Sequence, residues 1–509
     1  MSWITSLHKR TLPSRSDDAN AKSVDSSGKR IAVLVLGDIG RSPRMQYHAL
    51  SLASAGHYVD LIGYAGTRPM EDVILAERIA LRHVQVPELL LSAPRSLFIL
   101  TAPLKAIYQT LLLIWVLLFF IARPDCILVQ NPPAIPTLFV ARVSAWITGA
   151  RLIIDWHNYG YTLLGMKLGP THPIVCAAKC FERFFGRHAY AHLCVTDAMA
   201  VDLKDNWNIS GKLVVLHDKA PRHFRHLDSS EIHKASNIGN DPQLAELAQS
   251  SALGLADCHV DKQQGCKSLL TCRGADGTVT MHPNRPMLVV SSTSWTADED
   301  FSILLHALEI YDCAYSSAQK GESKLPSLVM VITGKGPLRE HYETKIAQLR
   351  LRAVRIVTAW LTAEDYPLLL GSADLGISLH TSSSGLDLPM KVVDMLGCGT
   401  PVCAYRFSSI GELVTESNGL VFDSAEELAG QLQVSLCWHQ YRCRCLCNRC
   451  RYNDLAEKER SKSAFASRPP HKVHLCQFQC LMDYYCALRV VGSRHFAAKH
   501  AQRDLLATA

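Results

Sequence analysis

The chain has 509 residues, of which 48% are hydrophobic and 19% charged, and a formal net charge of +7. That length is too great for one core and implies two or three domains, while the apolar content excludes a chain disordered throughout. No block of lysine and arginine interleaves with aromatics along a helix face, which speaks against a nucleic-acid partner; the mild positive excess suits anionic lipid or phosphates.

Residues 1–29 are polar, contain no apolar segment of the kind found in signal peptides and anchors, and read as a disordered leader. From Arg30 onward, apolar runs of strand length alternate with helical patterns, the signature of parallel βαβ units. "IAVLVLG" predicts a buried strand, "DIGRSP" a tight loop, "RMQYHALSLASAG" a helix ended by Gly56, and "YVDLIGY" the next strand. Ala106 to Ala122, "AIYQTLLLIWVLLFFIA", is the membrane candidate. At about 1.5 Å per residue it would span roughly 25 Å, the short limit for a bilayer core. A crossing there would split an α/β domain, so a buried helix, or a monotopic one lying in the cytosolic leaflet, is expected. "CILVQ", "RLIID", "HLCVT" and "KLVVLHD" supply further strands and complete a first Rossmann-like domain over 30–228.

Residues 229–284 lose periodicity and read as a linker with an insertion. A second series, "PMLVVSSTSW", "SLVMVITGKGP", "VRIVTAW", "ADLGISLH" and "TPVCAY", with a helix over "DEDFSILLHALEIYD", predicts a second Rossmann-like domain over 285–433. The expected architecture is therefore α/β, with two doubly wound domains facing a cleft. Residues 434–509 hold eight of the 18 cysteines with little periodicity and read as an atypical, disordered tail. Cys443, Cys445, Cys447 and Cys450 are crowded and lack a second spaced pair, so no metal site is expected. The other cysteines are scattered singly, as in a reducing compartment.

Ligands of open α/β sheets bind beyond the carboxyl ends of the strands, and four stretches lie there. "LGDIGRSPRM" sets Gly37 and Gly40 at a sharp turn with Arg41 and Arg44 entering the helix, either a phosphate loop or an ordinary β-to-α turn. "IIDWHNYGYT" ends a strand on Asp155 and His157, a possible general base and hydroxyl binder or a pair that only orders the loop. "ITGKGP" holds Lys335 between Gly334 and Gly336, a point charge for a diphosphate or simply a turn. In "SSSGLDLPMKVVDMLGCGTPV", Ser384 and Gly385 belong to a donor-rich loop, and a helix starting near Pro389 carries Lys391 and Asp394 three residues apart. An acid there can accept from both ribose hydroxyls while the lysine and the helix start favour diphosphate; the alternative is a local ion pair. "DED" at Asp298 to Asp300 contains a DxD, but Thr296 and Glu299 read as a capping box.

Taken together, "VLGDIGRSPRMQYHALSLA", "IDWHNYGYT", "LCVTDAM", "SSTSWTADEDFSILLHALE", "ITGKGPL", "PLLLGSADLGISLHTSSSGLDLPMKVVDMLGCGTPVCA" and "NGLVF" resemble the chitobiosyldiphosphodolichol beta-mannosyltransferase family, over roughly Arg30 to Gln433. The resemblance implies a GT-B fold and transfer of mannose from GDP-mannose to dolichyl-diphosphate chitobiose, inverting the anomeric centre to form a β-1,4 bond, as the first mannosylation in N-glycan precursor assembly. It further implies the cytosolic face of the endoplasmic reticulum membrane, other dolichol-pathway mannosyltransferases as partners, and no cofactor or metal. By the same resemblance Asp394 binds donor ribose. Asp387 lies one residue from the position of a second family acid, which is Leu386 here. Lys391 and Gly334 to Gly336 face the diphosphate, Gly37, Gly40 and Arg41 line the acceptor side, and Asp155 or His157 is the base. Both ends depart from the family, whose members commonly begin with an apolar anchor and close with a helix bracing the first domain. The altered end leaves a second reading, an inactive form acting as a binding partner in a transferase complex. A nucleotide-sugar epimerase of the same fold would need no lipid acceptor.

Overall fold

A computed structural model describes residues 28–85, 98–235, 268–274, 276–282, 285–318 and 325–435, with the backbone alone for 98–102. The expected leader, most of the expected linker and the tail with Cys443 to Cys450 lie outside the described residues. Two compact units divide between Asp218 and Lys219, with Ser383–Asp387 belonging to the first.

The amino-terminal unit is built on strands β1 Arg30–Asp38, β2 Tyr58–Tyr64, β3 Ile79–His83, β4 Cys126–Asn131, β5 Arg151–Trp156, β6 His188–Cys194 and β7 Ser210–Val215. Their order is β3-β2-β1-β4-β5-β6-β7, and every pairing is parallel. The helices are α1 Pro43–Ser54, α2 Glu71–Leu75, α3 Phe98–Trp115, α4 Thr137–Thr148, α5 Gly160–Leu168, α6 Pro173–Gly186 and α7 Asp197–Asp205. The continuous apolar run of β1 follows from cover on both faces. Ile31, Val33 and Val35 meet Met45, Ala49 and Val73 on one side, and Ala32, Leu34 and Leu36 meet Leu113, Leu117 and Leu138 on the other. Each fully buried valine, leucine, isoleucine or methionine among them contributes about 1.5–3 kcal/mol.

The membrane candidate is longer than its apolar core suggested. α3 begins at Phe98, carries Pro103 inside, and runs into a π-helical turn at Val116–Phe120, where the Ile121 amide donates to the Val116 carbonyl at 3.1 Å. Only 22% of Pro103–Phe120 is buried, so α3 is not an enclosed core helix.

The carboxyl-terminal unit opens with α8 Ser229–Ala235 and an antiparallel hairpin of β8 Thr271–Arg273 and β9 Val279–Met281. These elements lie within the stretch read as a linker with an insertion over 229–284, where single apolar residues such as Ile232 and Leu270 are buried against Leu288 and Val329, a long-range packing that leaves no periodic trace. Strands β10 Met287–Ser292, β11 Leu328–Thr333, β12 Val354–Ala359, β13 Leu375–Ser378, β14 Val402–Tyr405 and β15 Gly419–Phe422 follow. They form a parallel sheet in the order β12-β11-β10-β13-β14-β15. The helices are α9 Phe301–Ala318, α10 Arg339–Gln348, α11 Asp365–Ser372 and α12 Met390–Gly397. In each sheet the strand order reverses at its first strand, between β1 and β4 and between β10 and β13, and such switch points open crevices at the carboxyl ends.

Candidate functional site

In the amino-terminal unit the centre is Asp155, whose carboxylate is wholly buried near the end of β5. Arg44 on α1 grips it with two parallel bonds, Nε to Oδ2 at 2.9 Å and Nη2 to Oδ1 at 3.0 Å. His48, one helical turn on, approaches Oδ2 at 3.0 Å, and His157 approaches the same oxygen at 2.9 Å. Burial opposes the charge on Asp155, but the charge of His157 and hydrogen bonds from His157, His48 and Arg44 outweigh it and hold the carboxyl well below its ordinary range. A carboxylate so strongly ionised is a poor proton acceptor. It can only receive at His157 Nε2, so that nitrogen carries the hydrogen in either state, and in the neutral imidazole the Nδ1 lone pair is the basic atom.

Arg44 does not serve the phosphate role read for it. Besides Asp155, its Nη1 donates to the Leu216 carbonyl at 2.7 Å and to Asp218 Oδ1 at 2.9 Å, so four acceptor bonds inside the unit occupy it. Arg41 stays available: its side chain is 80% exposed and 3.6 Å from Asp38. Gly40 donates its amide to Asp38 Oδ1 at 3.1 Å, and a Cβ there would strike the Thr67 carbonyl at 2.3 Å. Gly37 has no such crowding, its nearest neighbour lying at 3.8 Å. The loop after β5 is fixed by a buried acid that the sequence reading passed over. Glu182 on α6 accepts from the Gly160 and Tyr161 amides at 2.9 and 3.1 Å and from Asn131 Nδ2 at 2.7 Å, which satisfies the amino end of α5.

In the carboxyl-terminal unit, α12 begins at Met390 after Pro389, as the sequence implied. Lys391 and Asp394 do not form the local pair considered for them. Lys391 Nζ donates instead to Glu299 Oε1 at 2.7 Å and to Ser294 Oγ at 3.2 Å. Glu299 is buried and also accepts from Thr293 Oγ1 at 2.5 Å and the Ser294 amide at 2.8 Å. The capping-box reading is corrected accordingly: Asp300 caps α9, taking the Ser302 amide at 2.9 Å, while Glu299 anchors the lysine. The remaining acid of "DED", Asp298, lies 3.5 Å from His380, whose hydrogen bond holds it down at about 2.

The Asp394 carboxylate has no hydrogen-bond partner among the described residues, and burial alone pushes it up to about 7. A desolvated carboxylate without a donor is a site for a ligand's hydroxyl groups. Lys391 uses two of its three N–H donors and keeps one for an anion. The β11 loop crosses the β10 loop at close range: a Cβ on Gly334 or Gly336 would lie 1.8 or 1.7 Å from the Thr293 or Ser294 carbonyl, and Gly334 has φ of +153°. These glycines are steric requirements, and they bring Lys335 over the Trp360 ring at 4.3 Å. In the loop before α12, Ser384 Oγ donates to Asp387 Oδ1 at 3.4 Å and receives the Leu386 amide at 3.2 Å; Gly385 takes φ of +75°.

The two units match separate families, residues 40–218 the Glycosyl transferase 4-like domain and residues 288–436 the Glycosyl transferases group 1. Chitobiosyldiphosphodolichol beta-mannosyltransferase of Mus musculus is 48% identical over 80% of this chain and 81% of its own length, and that of Homo sapiens is 45% identical over 80% and 84%. The Arabidopsis thaliana protein named UDP-glycosyltransferase TURAN is 44% identical over 80% and 88%. Among solved structures, an alpha,alpha-trehalose-phosphate synthase (UDP-forming) from Burkholderia vietnamiensis superposes with a TM-score of 0.51 at 11% identity, over 84% of this chain and 97% of that one. Sucrose-phosphate synthase from Thermosynechococcus elongatus gives 0.50 at 13% identity, over 85% and 100%. These structural likenesses speak for the fold. With parallel Rossmann-like sheets in both units and sequence identity running through both, the chain belongs to the chitobiosyldiphosphodolichol beta-mannosyltransferase family of GT-B glycosyltransferases.

Proposed function

We propose that this chain transfers mannose from GDP-mannose to dolichyl-diphosphate chitobiose, forming a β-1,4 bond with inversion, at the cytosolic face of the endoplasmic reticulum membrane. The amino-terminal domain, over 30–228, takes the acceptor and the carboxyl-terminal domain, over 285–433, takes the donor. The observation that carries the donor assignment is Asp394, partnerless and desolvated one turn beyond Lys391 on α12. Its carboxylate accepts from the ribose hydroxyls, while Lys391 and Lys335 offset the diphosphate charge. Asp387, Ser384 and Gly385 shape the loop beside the sugar.

On the acceptor side, His157 is the base, and Asp155 is a positioning residue that fixes its tautomer. His157 Nδ1 takes the proton of the chitobiose hydroxyl, whose oxygen attacks the anomeric carbon as the bond to the GDP phosphate breaks and the electron pair leaves with GDP. Gly37, Gly40 and Arg41 meet the acceptor diphosphate. Two lysines beside the diphosphate supply the positive charge that a metal would otherwise bring, and other mannosyltransferases of the same lipid-linked series are the protein partners.

The test is transfer of labelled mannose to a GlcNAc2-diphosphate-phytanyl acceptor, with UDP-sugars offered beside GDP-mannose and a chelator present. Transfer from GDP-mannose that survives chelation and vanishes in Asp394→Ala is expected. Preference for a UDP-sugar would overturn the donor, and full turnover by Asp394→Ala would overturn the site.

A further inference from the structure

The buried positions of α6 are Val175, Ala178, Glu182 and Gly186, a helical row in which an acid stands among core residues. The helix lies close against the end of β5, since a Cβ on Gly186 would fall 2.6 Å from the Trp156 ring. That approach carries the Glu182 carboxylate, fully buried, beneath the loop that follows the strand. Burial raises its carboxyl above the ordinary value, and three hydrogen bonds oppose it, from the Asn131 side chain and from the Gly160 and Tyr161 amides. No lysine, arginine or histidine among the described residues pairs with it.

A buried charge without a cation is costly, and capping alone does not call for one, because a serine or an asparagine can meet the free amides at the start of α5. The third bond serves another end. Glu182 Oε1 takes Asn131 Nδ2 at 2.7 Å, and the same nitrogen also donates to the Asn158 carbonyl at 3.1 Å. The Asn131 carbonyl in turn takes the His157 amide at 2.8 Å. Asn131 therefore holds the His157–Asn158 backbone at both ends, and Glu182 holds Asn131. A glutamine at 182 would turn an NH2 group on at least one of the three donors, so only a side chain that accepts at both oxygens can set Asn131 and α5 together. A side chain leaves in a direction allowed by its backbone. The His157 imidazole is thus aimed from two sides, by Asp155 at the ring at 2.9 Å and by Asn131 at the backbone.

We propose that Glu182, acting through Asn131, is a positioning residue for mannose transfer that keeps the His157 imidazole directed at the acceptor hydroxyl. The proposal deepens the reading of His157 as the base and rests on it.

Transfer is measured with the full chain carrying Glu182→Gln, Asn131→Ala or His157→Ala, and with each of the first two combined with His157→Ala. Glu182→Gln should lower kcat at least about tenfold, as a base displaced by about an ångström does, while the KM for GDP-mannose stays within about twofold of wild type. Once His157 is gone nothing remains to be aimed, so the double variant should turn over within about twofold of His157→Ala alone. Asn131→Ala should show the same dependence. It leaves the carboxylate in place and carries the test if calorimetry of the amino-terminal transition shows that Glu182→Gln does not fold. Losses that multiply in the double variants would make Glu182 a helix cap only and overturn the proposal, as would a wild-type rate in folded Glu182→Gln; both leave the base standing. A His157→Ala chain of wild-type rate overturns the reading of the base and the proposal with it.

Discussion

Asp394 is a half-buried aspartate and Asp155 a wholly buried one, and their surroundings drive them in opposite directions. Asp394 is raised to about 7 by desolvation with nothing to oppose it. Because this lies above the roughly 3.9 of an unfolded aspartate, the folded state holds the proton more tightly. The group's contribution to stability is therefore whole below about pH 4, falls as the pH climbs towards 7, and then levels off. Ribose hydroxyls donate to the ionised form, so GDP affinity should rise between about pH 6 and 8 in wild type and stay flat in Asp394→Asn. Calorimetric titration across that range checks it, and parallel curves would remove Asp394 from the site. Asp155 is depressed instead, so its contribution is present above about pH 4 and is lost as the pH falls through its folded value. Asp155→Asn takes the two-pronged carboxylate from buried Arg44 and leaves it only the Asp218 carboxylate, and should cost about 3 kcal/mol. His157→Ala should cost under about 1 kcal/mol while lowering transfer by roughly 10²–10⁴-fold. Denaturant unfolding and initial rates together distinguish the pair, and a His157→Ala enzyme of normal rate would move the base elsewhere. The sequence made Asp155 and His157 visible through their place at a strand end. The division of labour between them was not, because it depends on Arg44 and His48, which come from a different helix.

At the scale of elements, the β11 and β10 loops meet backbone against backbone, and Trp295 Nε1 donates across them to the Gly334 carbonyl at 3.2 Å. Gly336→Ala would place a Cβ 1.7 Å from the Ser294 carbonyl, and the loop must shift to relieve it, at about 1–3 kcal/mol. The shift moves Ser294, a partner of Lys391, so GDP affinity is expected to fall by about tenfold or more, a change of about 1.4 kcal/mol. An unchanged dissociation constant would show the loop to be a turn only. The strands and helices were legible because apolar runs and 3.6-residue periods report burial of a local backbone. The role of Glu299 was not, because Thr296 and Glu299 have the spacing of a capping box, and only packing shows that the carboxylate turns away from α9 toward Lys391. The helix and hairpin at 229–281 escaped for a related reason: their few buried residues join a core built mostly by distant strands.

Each unit has its own buried core, around Leu34, Leu113 and Trp156 in the first and around Val289, Phe301 and Leu328 in the second. The whole molecule should therefore melt in two calorimetric transitions. GDP at a hundredfold excess over its dissociation constant should stabilise the carboxyl-terminal one by about 2.7 kcal/mol. A rise confined to the other transition would reverse the assignment of donor and acceptor domains. The sequence by itself determined the two parallel α/β series, the strand-end loops where chemistry collects and the family these motifs belong to, because periodicity and short motifs are properties of neighbouring residues. Tertiary structure decided which charges are spent internally and which remain. Arg44 finds its carboxylates 111 and 174 residues away and Lys391 finds its own 92 away, while Arg41, three positions before Arg44, stays in solvent. A side chain's charge is written in the sequence, but its partner is chosen by the fold that brings distant strand ends together.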